Sequence, residues 1–138
     1  MKKLLFYFAI SLVISGFGFL GLRNFSQKVE AVGEVLGNSP TVLTQSLPNG
    51  WTNRPYIATI RTRDVDVGDK LGMIASDLPE GLSLSNCSQF VLSNSERLHC
   101  DLSGVVAEPG TYTFKIGVFD NNGNFGSQVY TINFEQAP

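Results

Sequence analysis

From Thr111 to Phe119 the sequence alternates strictly, with Tyr112, Phe114, Ile116 and Val118 on one parity and Thr111, Thr113, Lys115 and Gly117 on the other. Only an extended chain with one buried face satisfies that period, because successive strand side chains point to opposite sides. Asp120-Asn121-Asn122-Gly123 then makes a turn, and Tyr130, Ile132 and Phe134 alternate with Thr131, Asn133 and Glu135. The two runs form a β-hairpin. Upstream the same period places Tyr56, Ala58, Ile60 and Thr62 opposite Ile57, Thr59, Arg61 and Arg63. Shorter strands are expected near Thr41–Ser46, at Lys70–Ala75, within Asp77–Leu84 and at Arg97–Ser103. About seven short strands separated by turn residues, with no helical period after Thr41, predict an all-β, Ig-like sandwich.

The N-terminus imposes a second constraint. Lys2 and Lys3 precede a run from Leu4 to Leu22 that carries no charge over 19 residues. As a helix it would span roughly 28 Å, close to the hydrocarbon thickness of a bilayer. It exceeds the apolar centre of a secretory signal, about 7–15 residues, and the nearest small-x-small pattern, Val29-Glu30-Ala31, lies well beyond it. The expectation is an N-terminal transmembrane signal anchor with the C-terminal part outside the cytoplasm. The alternative is a signal helix that is cleaved, giving a secreted protein. Ser11, Ser15 and Gly18 form a small-residue stripe within this run. Phe25, Val29, Val32 and Leu36 repeat at helical spacing and extend it as a short stalk. The expected organisation is residues 1–36 as anchor or signal segment with stalk, 37–53 as linker and irregular first strand, and 41–138 as the sandwich. Pro40, Pro48 and Asn49-Gly50 mark the linker.

Several chemistries are excluded by composition. Ten basic and twelve acidic residues, net charge −2, provide no positive field for phosphates, so nucleic acid is not an expected partner. One histidine and two cysteines make a His-rich metal centre, a zinc finger and most nucleophile/base pairs hard to build. His99 has Ser95, Glu96 and Asp101 near it along the chain, but adjacency is not convergence, and no enzyme is expected. Cys87 and Cys100 lie thirteen positions apart on a segment read as extracytoplasmic, where a disulfide would persist and contribute about 3 kcal/mol. It would brace the Ser88–His99 excursion; two separate buried thiols are the alternative. Trp51, Tyr56 and Phe90 fall outside the strongest core pattern and are candidates either for stacking on a sugar ring or for ordinary packing.

A longer pattern runs through the domain. Asp64-Val65-Asp66-Val67-Gly68-Asp69-Lys70-Leu71 is followed by Leu78-Pro79-Glu80-Gly81-Leu82-Ser83-Leu84, Leu102-Ser103-Gly104, Glu108-Pro109-Gly110-Thr111-Tyr112-Thr113-Phe114 and Asp120-Asn121-Asn122-Gly123. This order resembles the Ig-like, cadherin-like (dystroglycan-type) domains of bacterial cell-surface proteins over about Thr41 to Glu135. Such domains usually occur in tandem, whereas here one copy follows a hydrophobic segment. The stretch from Leu84 to Leu102 is also longer than usual and carries both cysteines.

The resemblance implies that the loop after the second strand and the loop between the last two share one pole, and that cadherin-like relatives bind calcium at such a pole. Asp64, Asp66, Asp69, Asp120 and Asn122 would supply hard oxygen ligands suited to Ca²⁺. The same residue types also make turns, with their side chains accepting local backbone hydrogen bonds. Both readings stand on sequence alone, and Arg61 and Arg63 are near enough along the chain to offset some of the charge. The expected function is that of a non-enzymatic, membrane-anchored extracytoplasmic Ig-like module for adhesion, envelope organisation or protein-partner binding, possible calcium dependence included. The alternative is a secreted carbohydrate- or calcium-binding accessory domain.

Overall fold

In the computed structural model the described residues are 37–138, a unit beginning at Gly37. The expected anchor or signal helix, its Ser11/Ser15/Gly18 stripe and the stalk lie outside them. Among the described residues no helix is long and apolar enough to cross a membrane. The chain forms β1 (Thr41–Val42), β2 (Gly50–Trp51), β3 (Pro55–Asp64), β4 (Leu71–Ser76), β5 (Leu82–Val91), β6 (Glu96–Val105), β7 (Gly110–Asp120) and β8 (Phe125–Glu135). They make two four-stranded sheets, ordered β1-β3-β6-β5 and β2-β8-β7-β4.

Eight strands form where about seven were expected, because the linker crosses from one sheet to the other. β1 joins β3 antiparallel, while β2 joins β8 in parallel. The single first strand expected near Thr41–Ser46 is thus two residues long, and Pro40 and Pro48, which lack an N–H for a ladder, flank the crossing. The Ser88–His99 segment is not an excursion. It is the outer half of the β5–β6 hairpin, turning at residues 92–95.

The core lies between the sheets and consists of the inward parities read from the sequence. Tyr56 and Ile60 of β3, Leu102 of β6, Phe114, Ile116 and Val118 of β7, and Tyr130, Ile132 and Phe134 of β8 are all buried. The Tyr56 hydroxyl donates to the Pro48 carbonyl at 2.9 Å and that of Tyr130 to the Thr44 carbonyl at 2.6 Å, so both rings are buried without stranding a polar tip.

Two of the motif glycines meet at a backbone crossing. The Val105 N–H donates to the Gly81 carbonyl at 3.2 Å, and Gly81 has φ of 95°. A Cβ on Gly104 would stand 1.8 Å from the Gly81 oxygen, and one on Gly81 would stand 1.9 Å from the Val105 oxygen. Backbone cannot yield as a flexible side chain can, so both positions require glycine. On the outer face of the second sheet, glycines instead leave room for rings. A Cβ on Gly72 would fall 2.2 Å from the Phe119 ring, and one on Gly117 would fall 2.6 Å from that of Phe125. Phe119 and Phe125 therefore lie down across the sheet, half exposed, with Ile74 beside Phe125 over Gly117.

Gly104→Ala is expected to destabilise the domain by about 2 kcal/mol or more. Urea unfolding checks this, with a lower midpoint and an unchanged m-value.

Candidate metal centre

At one pole the inward parity of three strands ends in a carboxylate. On β3 the series Ile60, Thr62 continues to Asp64; on β7 Ile116, Val118 continues to Asp120; on β6, read backwards, Leu102, Cys100, Leu98 continues to Glu96. All three carboxylates are buried, and Asp64 and Glu96 are direct cross-strand partners. The loop of residues 65–70 adds Asp69. One oxygen each from Asp64, Asp69 and Asp120 lies within 4.8 Å of the others. Two oxygens bound to one calcium at about 2.4 Å can be at most about 5 Å apart, so the three fit around a single ion.

Asp120 is held by its own turn. The backbone N–H groups of Asn122 and Asn124 donate to its Oδ1 at 2.8 and 2.9 Å, and the Asn124 amide donates to its Oδ2 at 2.8 Å. Burial pushes the Asp120 carboxyl up, but these hydrogen bonds outweigh it and hold the group below the usual range. Glu96 accepts from the Gln89 amide at 2.9 Å and from the Gly68 N–H at 2.9 Å, which lower it as well. Asp64 differs. Its Oδ1 accepts the Asp66 N–H at 3.0 Å, but its Oδ2 is buried without a hydrogen-bond partner, and only 1% of the residue is exposed. Desolvation raises its carboxyl, and the charges of Asp66, Asp69 and Asp120 raise it further.

Among the described residues no Lys or Arg ion pair reaches the cluster. Arg61 and Arg63 are on the outward parity of β3, and Arg63 donates to Ser95 Oγ at 3.1 Å instead. A buried carboxylate that keeps one oxygen without a donor and stands close to two further carboxylates is the arrangement that a bound cation would complete. Asp64, Asp69 and Asp120 are the residues that would hold it.

The other two expected residues take supporting places. Asn122 donates its amide to Asp69 Oδ2 at 2.9 Å, which orients that carboxylate. Asp66 is not one of the three grouped carboxylates and holds the incoming chain, accepting from the Asn38 backbone N–H and, at 3.0 Å, from the Asn38 amide. The sequence reading missed Glu96 and Gln89. The Gln89 amide Nε2 donates to the Asp69 carbonyl at 2.6 Å, and its Oε1 accepts from the Leu71 N–H at 2.9 Å. Extending the β6 parity by one step would have exposed Glu96; nothing local marked Gln89.

The remaining candidates separate. Cys87 and Cys100 form the disulfide. His99 faces outward beside Phe90, ring centroids 4.8 Å apart, while Glu96 faces inward and Asp101 accepts from Thr59 and Asn86. No nucleophile and base converge there. Tyr56 is in the core, and Trp51 and Phe90 belong to different sheets, so these three rings make no common platform.

The family model described as "Putative Ig domain" matches residues 36–135. A comparison with curated proteins returned no match. Among solved structures, an endo-fucoidan hydrolase of glycoside hydrolase family 107 aligns with a TM-score of 0.54 and 22% identity, over 75% of this chain and 14% of that one. A "putative alpha-galactosidase/melibiase" of Bacteroides fragilis NCTC 9343 aligns at 0.52 and 20%, over 73% of this chain and 18% of that one. The SrpA adhesin of Streptococcus sanguinis aligns at 0.47 and 17%, over 72% and 56%. The chain thus spans less than a fifth of either glycoside hydrolase. It belongs to the Putative Ig domain family, a non-catalytic module type.

Asp64→Asn removes the unpartnered charge while keeping an oxygen for the Asp66 N–H. Without metal it is expected to stabilise the domain by about 1–3 kcal/mol at neutral pH, several degrees in Tm. The folded-state pKa of Asp64 is raised, so its protonated form favours folding at low pH and that contribution is lost as pH rises through the folded value. The gain should therefore vanish at about pH 3, where Asp64 is already neutral. Calorimetry at the two pH values checks both signs.

Proposed function

We propose that this member of the family is a non-enzymatic, calcium-binding Ig-like module that works outside the cytoplasm in adhesion, envelope organisation or binding of a protein partner. The observation that carries the reading is Asp64, whose Oδ2 is buried without a hydrogen-bond partner and whose carboxylate offers an oxygen within 4.8 Å of oxygens of Asp69 and Asp120. The Cys87–Cys100 disulfide supports an extracytoplasmic setting, since such bonds persist in oxidising compartments. The uncharged run from Leu4 to Leu22 supports attachment to a membrane, with residues 1–36 as anchor and stalk and residues 37–138 as the exported domain. Calcium here is structural: it neutralises the pole and ties the loops of residues 65–70 and 121–124 to each other. The Asn38–Asp66 clasp brings the incoming chain to the same pole, so occupancy would also stiffen residues 37–40.

A second reading, a secreted carbohydrate-binding accessory domain, is favoured by the rings of Phe119 and Phe125, laid across Gly72 and Gly117 with exposed faces. The glycoside hydrolases that contain a similar fold agree with that setting. On this reading the domain would be retarded in gels containing galactan or fucoidan, and Phe125→Ala would abolish the retardation.

For the leading reading, thermal melting is expected to separate calcium from chelator. A site with Kd near ~10 µM at ~1 mM free calcium adds about 2.7 kcal/mol by mass action, several degrees for a domain of this size. The same shift should be absent from Asp64→Asn and Asp120→Asn. An unchanged Tm in the wild-type chain would leave the carboxylates as turn and capping groups only.

A further inference from the structure

The outer half of β5 carries no buried residue that would hold its register. β5 is an edge strand, and from Asn86 to Val91 it is exposed throughout. Elsewhere in the sheet apolar burial decides which side chains face inward; here that force is missing. The pairing with β6 also breaks at this point. Ser85 lies opposite Asp101 and Ser88 opposite His99, so two residues of β5, Asn86 and Cys87, face the single residue Cys100. That is a one-residue bulge, and the disulfide joins Cys87 of the bulge to Cys100.

What the bulge aims is Gln89. Its amide reaches the Asp69 carbonyl, the Leu71 N–H and Glu96 Oε2, while Glu96 Oε1 accepts the Gly68 N–H. These four bonds hold the loop of residues 65–70, which presents Asp69 to Asp64 and Asp120. If the bulge relaxed by one residue, every side chain beyond it would turn to the opposite face and Gln89 would leave the loop.

We propose that the Cys87–Cys100 disulfide is a redox-sensitive lock on the acidic pole: oxidised, it fixes the bulge that directs Gln89 onto the metal loop, and its reduction weakens calcium binding at Asp64, Asp69 and Asp120. The proposal rests on the calcium reading above. A dithiol reductant supplies two electrons and two protons to the S–S bond, leaving two thiols on the protein and a disulfide in the reductant. Cys87 is exposed on the edge strand, the side from which the reductant's thiolate would approach, while Cys100 is buried. Gln89 acts as a positioning residue, outside the ligand set, and such outer partners are commonly worth roughly 10–100-fold in metal affinity.

The test is calorimetric titration of the full-length chain with calcium chloride, oxidised and after dithiothreitol, alongside oxidised Gln89→Ala. Expected are binding by the oxidised chain, at least roughly tenfold weaker binding after reduction, and a similar loss in Gln89→Ala that reduction does not deepen. Hydrogen exchange at the Gly68 and Leu71 amides should quicken on reduction even without calcium. Equal affinity of the oxidised and reduced forms overturns the lock and leaves the calcium reading standing. No binding by the oxidised chain overturns the calcium reading, and unchanged exchange at Gly68 and Leu71 then overturns the lock as well. Should the reduced chain unfold, oxidised Gln89→Ala decides: undiminished affinity overturns the proposal.

Discussion

The structure turns on one constraint, that the inward face of a sandwich admits carboxylates only where something compensates them. On β3, β6 and β7 the same parity that builds the core ends, at one pole, in Asp64, Glu96 and Asp120. The loop of residues 65–70 adds Asp69, and one oxygen each of Asp64, Asp69 and Asp120 lies within 4.8 Å of the others, a distance at which two carboxylate charges repel by roughly 3 kcal/mol at an effective dielectric near ~20. The loops at that end are arranged to answer this. The 121–124 turn wraps its N–H groups and the Asn124 amide around Asp120, and Gly68 and Gln89 serve Glu96. Asp64 Oδ2 is the oxygen these loops leave uncompensated.

Much of this could be read from the sequence because strand parity is a local property. Tyr112 through Val118 and Tyr130 through Phe134 face the core as their alternation requires, and the order of the motifs marked the family. The pairing of Cys87 with Cys100 was one of two readings their number and setting allowed, and it is the one that formed. Parity also contained the acidic pole, since Asp120 continues its inward series two residues past Val118 and Asp64 continues its own through Thr62 from Ile60. Glu96 escaped because its strand was expected to start at Arg97, one residue too late to show it.

What could not be read depends on contacts made far along the chain. Gln89 reaches Asp69 across twenty residues, and Asn38 reaches Asp66 across twenty-eight, so neither has a signature in its own neighbourhood. The two short strands of the linker were hidden for a related reason. β1 and β2 each have only two paired residues and are defined by the strands they join, not by any period of their own. The β5 strand was foreshortened because from Asn86 onward its residues are exposed, and the alternation that reveals a strand exists only where one face is buried.

The bulge in β5 has a bearing on solubility as well. An edge strand ten residues long presents a row of free backbone groups that a second chain could extend by hydrogen bonding. A straight, regular β5 would offer that template along its whole length. The bulge at Asn86 and Cys87 breaks the repeat and twists the edge, so an incoming strand finds no continuous ladder to copy. The opposite sheet ends in β4, six residues long, where little pairing is available. The edges at β4 and β5 are thus blunted, one by shortness and the other by a kink held in place by a covalent bond.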